Sequence, residues 1–168
     1  DAGCGTGALA LQAALRGADV VAIDLSPTLV QLAAERIAAE HPQLPGSITF
    51  GAGDMLSADL GYFDHVVCMD SLIHYDTPHI AQALATLAER TRGSMLFTYA
   101  PRTPLLAAMH SVGRLFPRSD RSPALSPVSG EALHRALQAE PALSGWQAGR
   151  TQRVAQGFYT SQAWEWHQ

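Results

Sequence analysis

The 168-residue chain contains no lysine; all eleven of its basic residues are arginine. This absence excludes Schiff-base chemistry and P-loop phosphate binding, both of which require a lysine amine. Cysteine is nearly absent too. Cys4 and Cys68 stand too far apart for zinc or thioredoxin spacing, and so sparse a complement fits a reducing compartment. No run approaches the ~18 apolar residues of a membrane span, and no signal peptide is visible. Positive charge is not in excess. Fifteen acids against eleven arginines give a net charge of -4 and a pI near 5.9, which argues against a nucleic-acid partner. What remains is a cytoplasmic-type domain, 47% hydrophobic and 15% charged, long enough for one real core. Repeats, low-complexity tracts and domain linkers are not evident.

Strand and helix patterns alternate through the first hundred residues. Leu9, Leu11 and Leu15 carry helical spacing after the opening turn, and Gly17 stands where a helix stops. "DVVAID" reads as a buried strand. Ser26-Pro27 supplies an N-cap and a first-turn proline, and Leu29, Leu32, Ala33 and Ile37 form the expected apolar stripe of the next helix. "SITFGAGDM" and "YFDHVVCMD" are further strand segments. Thr77-Pro78 opens a helix buried through Ile80, Leu84 and Leu87, and "SMLFTYA" is a strand again. A unit of roughly 25 residues indicates a parallel, right-handed α/β arrangement. The second part has one short amphipathic helix, a proline- and arginine-rich stretch, and a helix capped by Ser129 through Ala139. "WQAGRTQRV" and "GFYTSQAWEW", separated by Ala155-Gln156, form a C-terminal antiparallel hairpin. The fold class is therefore α/β, Rossmann-like and doubly wound, with a mostly parallel sheet.

The opening "DAGCGTG" places small residues where backbone approaches a ligand. Gly3, Gly5 and Gly7 permit positive φ and unobstructed amides. Asp1, Asp24 and Asp54 fall at successive strand ends, and parallel strands direct those ends to one crevice. Three readings compete. The turn can simply hold a helix against the sheet. Gly3, Gly5 and Ala8 also fit the G-x-G-x-x-A of a dinucleotide site, with Asp24 at the right distance. However, an acid beside the turn repels a pyrophosphate and attracts an ammonium. A ligand with an amino acid, a ribose and an adenine but no phosphate suits the acids better, and S-adenosylmethionine is such a ligand. After the next strand, Asp70 lies near its methionine portion, and Ser71, His74 and Tyr75 project over the crevice. His74 can act as a general base for a phenol, orient a carboxylate, or merely cap a turn. His74 and His79 are five apart, off the i,i+4 spacing of a helical metal pair, so no protein-bound metal is expected.

"DAGCGTG", "DMLSADLGYFDHVVCMDSLIHY", "FTYAPRTPLLAAMHSVGRLFPRSDRSPAL" and "GRTQRVAQGFYTSQAWEW" together resemble the bacterial magnesium-protoporphyrin IX O-methyltransferases of (bacterio)chlorophyll biosynthesis. The first motif is shared by all class I methyltransferases; the others are more particular. The resemblance implies methyl transfer from S-adenosylmethionine to the 13-propionate of Mg-protoporphyrin IX, giving the monomethyl ester and S-adenosylhomocysteine. It implies cofactor binding by Asp1, Gly3, Cys4, Gly5, Gly7, Asp24, Leu25, Asp54, Met55 and Asp70. His74 matches the family's catalytic histidine, and Tyr75, Arg102 and Met109 are candidate substrate contacts. Leu105, Leu106 and Phe116 offer a flat apolar surface, and Arg114, Arg118 or Arg121 can meet propionates. His110 is read as packed rather than as an axial ligand. Magnesium arrives only as part of the substrate. Implied partners are the porphyrin-binding subunit of magnesium chelatase and, peripherally, the photosynthetic membrane. An alternative is a class I enzyme with another aromatic or carboxylate acceptor, or a non-catalytic docking module.

Members of this family begin on the order of sixty residues earlier, with a helical cover and then the first strand. Without that strand, its two neighbours are expected to keep unpaired backbone beside an apolar slot, leaving the chain alone weakly stable and inactive.

Overall fold

Gly7, at φ 74°, turns the opening loop into α1 (Ala8–Ala14), which buries Ala10, Leu11 and Ala14. In the computed structural model, residues 1–102, 125–156 and 159–168 are described. Gly17, also left-handed at φ 91°, lets the chain reverse into β1 (Asp19–Asp24). Ser26 caps α2 (Pro27–Glu40): its Oγ accepts from the Leu29 amide at 3.3 Å, and Pro27 needs no partner for a missing N–H. β2 (Ser47–Ala52) then pairs parallel with β1, from Asp19 opposite Ser47 to Asp24 opposite Ala52.

The same device recurs. β3 (Phe63–Cys68) leads to α3 (Thr77–Ala88), capped by Asp76, and α3 returns the chain to β4 (Thr91–Tyr99), parallel to β3. α4 (Gly130–Ala139), capped by Ser129, precedes the hairpin of β5 (Gln147–Gln156) and β6 (Tyr159–His167). β6 lies antiparallel against β4, giving the order β3-β4-β6-β5 beside a separate β1-β2 pair.

The main core joins α3 and α4 to the larger sheet through Ile80, Leu84, Leu133, Leu137, Phe97 and Trp166. Each such side chain contributes roughly 1.5–3 kcal/mol on burial. A smaller cluster of Cys4, Ala10 and Ala22 serves the β1 side.

Several expectations need correction. The buried face of α2 is Val30, Ala33 and Ile37; Leu29 and Leu32 are exposed, at 36% and 54%. Counting leucines misplaced the stripe because the small Ala33 marks the face pressed on the sheet. Leu15 is likewise exposed, while Ala10, Leu11 and Ala14 of α1 are buried. The hairpin strands continue through Ala155 and Gln156, which pair with Thr160 and Tyr159, so these two residues belong to β5 and not to a connection. The four-stranded sheet is mixed, with one parallel and two antiparallel pairings, and the separate β1-β2 pair is parallel. "DVVAID" is buried only at Ala22 and Ile23, because one edge of β1 opens on a slot.

That slot, about 570 Å³, runs between β1 and β3 and is lined by Val20, Val21, Val66, Val67 and Leu87. One end is closed by Asp1 and Ala2, which pair with both strands. The Ala2 amide donates to the Val67 carbonyl at 2.8 Å, and the Ile23 amide donates to the Asp1 carbonyl at 3.0 Å. Ala2 forms a parallel bridge with Ile23, and the Asp1 amino group reaches the Val21 carbonyl at 2.8 Å. The ladder thus has the direction and register of a strand lying between β1 and β3. Extending the chain before Asp1 with five valine and isoleucine residues is expected to raise Tm by at least ~5 °C in calorimetry. Five glycine and serine residues should leave it unchanged; equal shifts would contradict this reading of the slot.

Candidate functional site

At the carboxyl end of β1 the chain turns through Leu25 and Ser26, and the Asp24 carboxylate is fixed from two sides. The Gly5 amide donates to its Oδ2 and the Ser26 amide to its Oδ1, both at 2.8 Å. The glycine turn and the strand end are therefore one unit, and the remaining lone pairs of Asp24 can accept a diol. Arg36 of α2 braces the turn from outside by donating to the Thr6 carbonyl at 2.8 Å. At the end of β2 the Gly53 amide donates to the Asp24 carbonyl at 2.9 Å, so the next loop starts from the same point. There Asp54 accepts the Leu56 amide at 2.8 Å.

These strand ends face a cavity of about 150 Å³ lined by Gly3, Asp24, Leu25, Asp54, Met55 and Tyr75. Six sequence-predicted positions are thus brought together, joined by Ile23, Gly53 and Ser71. Gly3 is required there by space as well as by its φ of 84°: a Cβ on it would lie 2.4 Å from the Ser71 Cβ. Ser71 lines the cavity, with its hydroxyl beside the Cys68 thiol. The donor set of two carboxylates, a hydroxyl and an apolar Met55–Ile23 wall fits a phosphate-free, positively charged nucleoside such as S-adenosylmethionine. Asp1 lines the slot rather than this cavity, and its Oδ2 is buried and unpartnered.

Asp70, just past β3, is the non-glycine residue with positive φ, 57°, among those described. Thr98 of β4 holds it there. The buried Thr98 Oγ1 accepts the Asp70 amide at 2.7 Å and donates to Asp70 Oδ1 at 3.0 Å. Sequence reasoning did not find Thr98. The one signal available was a hydroxyl at an otherwise apolar position of "SMLFTYA". The turn that follows carries His74, exposed, and Tyr75, whose amide donates to the Leu72 carbonyl at 3.0 Å. Ser126 packs on this turn, its Oγ donating to the His74 carbonyl at 3.1 Å and its amide to Ile73 at 3.0 Å.

Cys4 and Cys68 are both buried and unpaired by any disulfide. Burial pushes the Cys68 thiol up to about 12 and raises Cys4 as well, so neither is a nucleophile at neutral pH. Arg102 is exposed, with its amide donating to the Val128 carbonyl at 2.9 Å. Leu105, Leu106, Met109, His110, Arg114, Phe116, Arg118 and Arg121 lie outside the described residues. Among the described residues no cluster of three His, Cys, Asp or Glu is placed to hold a metal ion. Thr98→Val is expected to reduce stability by about 1–3 kcal/mol in urea unfolding, through the stranded Asp70 amide. Unchanged stability would show that the left-handed turn holds without it.

The comparisons agree with this geometry. A family model described as magnesium-protoporphyrin IX methyltransferase C-terminus matches residues 68–168, and one described as methyltransferase domain matches residues 1–93. The chain is 45% identical over 166 residues to the magnesium-protoporphyrin O-methyltransferase of Rhodobacter capsulatus, covering 99% of this chain and 70% of that protein. It is 33% identical over 165 residues to the chloroplastic magnesium protoporphyrin IX methyltransferase of Arabidopsis thaliana, covering half of that protein. The crystal structure of the Synechocystis PCC 6803 magnesium protoporphyrin IX methyltransferase with bound SAH aligns with a TM-score of 0.83 at 28% identity. That alignment covers 99% of this chain and 72% of the other. A cleft built of strand-end acids around a glycine turn, and a C-terminal half specific to one family, lead to one statement: this chain belongs to the magnesium-protoporphyrin IX methyltransferase family.

Proposed function

We propose that this chain is the methyl-transferring domain of an enzyme that moves a methyl group from S-adenosylmethionine to the 13-propionate carboxylate of Mg-protoporphyrin IX. The products are the monomethyl ester and S-adenosylhomocysteine. The observation that carries the cofactor half is the Asp24 carboxylate, pinned by Gly5 and Ser26 and facing the same cavity as Gly3, Asp54 and Met55. Family membership supports the acceptor half.

S-adenosylmethionine, when bound, supplies an activated methyl on a sulfonium. The protein's own residues have a narrower task. Asp24 accepts the ribose hydroxyls, Asp54 and Met55 bound the adenine, and Ser71 offers its hydroxyl to the amino-acid end. The acceptor needs no deprotonation, because a carboxylic acid titrates near ~4 and is ionised at neutral pH. His74, on the turn whose Tyr75 lines the cavity, then serves to hold one propionate oxygen while the other faces the methyl. A neutral hydrogen bond serves better than a full ion pair, which would weaken the nucleophile. Holding the two reactants in line is worth up to ~7–11 kcal/mol of barrier. Arg102, which is exposed, is assigned to a propionate of the substrate on family membership alone. Delivery of the porphyrin by the porphyrin-binding subunit of magnesium chelatase, at the surface of the photosynthetic membrane, is part of the same proposal and rests on family membership alone.

The test is methyl transfer followed by mass spectrometry, with Mg-protoporphyrin IX and a catechol as rival acceptors. The chain is assayed alone and extended before Asp1 with the corresponding segment of the Rhodobacter capsulatus relative. One methyl gained on the porphyrin and none on the catechol is the expected result; the reverse would overturn the acceptor. In the active form, His74→Ala should lower kcat roughly 100-fold with cofactor affinity unchanged. A loss confined to cofactor binding would remove His74 from the reaction.

A further inference from the structure

Arg90 follows α3 and precedes β4, where an arginine ordinarily lies in solvent and offsets the helix dipole. Here it is only 7% exposed. Its guanidinium turns inward to another loop, donating through Nη1 to the Ser57 carbonyl and through Nη2 to the Met55 carbonyl. Among the described residues no carboxylate lies within ion-pair distance of it. Asp54 is the acid whose field acts on its charge, against the cost of burial.

The loop it grips is the one that follows β2. Its start is tied to β1 by the Gly53 amide on the Asp24 carbonyl, and its turn is closed by Leu56 and Ser57 amides on Asp54. Those bonds set the shape of the loop but not its distance from the sheet. Two carbonyls two residues apart, both drawn to one planar fork, set that distance. Arginine alone among side chains offers two donors in fixed separation; a lysine amine is a single point.

We propose that Arg90 is a positioning residue for the methyl donor. It fixes the Asp54–Ser57 loop against the sheet, and so places Asp54 and Met55 at the edge of the cavity they share with Asp24. This rests on the cofactor reading given above. Arg90 touches neither cofactor nor acceptor; it acts through Met55 and Ser57.

The experiment compares the full chain with Arg90→Lys and Arg90→Met, using Leu87→Ala as a control that weakens the core at the same helix end without removing a hydrogen bond to the loop. S-adenosylhomocysteine affinity is measured by calorimetry, and amide exchange is followed at Leu56, Ser57, Gly5 and Ser26. Both Arg90 variants are expected to weaken S-adenosylhomocysteine binding about tenfold and to speed exchange at Leu56 and Ser57, with Gly5 and Ser26 unchanged. Leu87→Ala should lower Tm but leave affinity and the loop amides as they were. Affinity within twofold of the unaltered chain, or equal effects in the Leu87 control, would overturn the role. Failure of the unaltered chain to bind would overturn the cofactor reading and this role with it. Exchange rates would then show whether the grip on the loop nevertheless exists.

Discussion

The backbone of Asp1 and Ala2, wedged between β1 and β3, joins the β1-β2 pair to the four-stranded sheet. The bonds from Ala2 to Val67 and from Ile23 to Asp1 join the halves at the end where the strand tips meet. The cavity depends on this junction, since Asp24 belongs to one half and Ser71 and Tyr75 to the other. Toward the opposite end the same strands line the slot with apolar side chains.

Within that frame, the site is assembled mainly by backbone amides. Gly5 and Ser26 fix Asp24, Leu56 fixes Asp54, and the Asp70 amide is fixed by a hydroxyl. Among the described residues no ion pair neutralises these carboxylates, and the cleft can stay hospitable to a cation. A chain with no lysine loses nothing by the omission.

Much of this was legible in the sequence because it is local. Ser26 and Ser129 cap the helices they precede, Thr77-Pro78 opens α3, and the glycine turn with Asp24 and Asp54 converges on one cavity because parallel strands force their ends together. What could not be read is what depends on register or facing. The Thr98–Asp70 pair exists because β3 and β4 align Cys68 with Phe97, an offset that no single segment encodes. Arg90 looked like any helix-end cation, since its acceptors lie more than thirty positions away. Leu29 and Leu32 misled for a simpler reason: leucine at helical spacing is not evidence of burial when a smaller residue occupies the contact face.

The two cysteines bear on how the halves move. Both sulfurs sit next to the Asp1–Ala2 wedge, are shielded from solvent, and hold their protons tightly. An alkylating reagent meets no thiolate while the wedge is seated. Cys4 lies in the smaller cluster of the β1 side and Cys68 in the core of the larger sheet, so each half carries one sulfur. Alkylation at either position therefore reports on the half that holds it, without any introduced label.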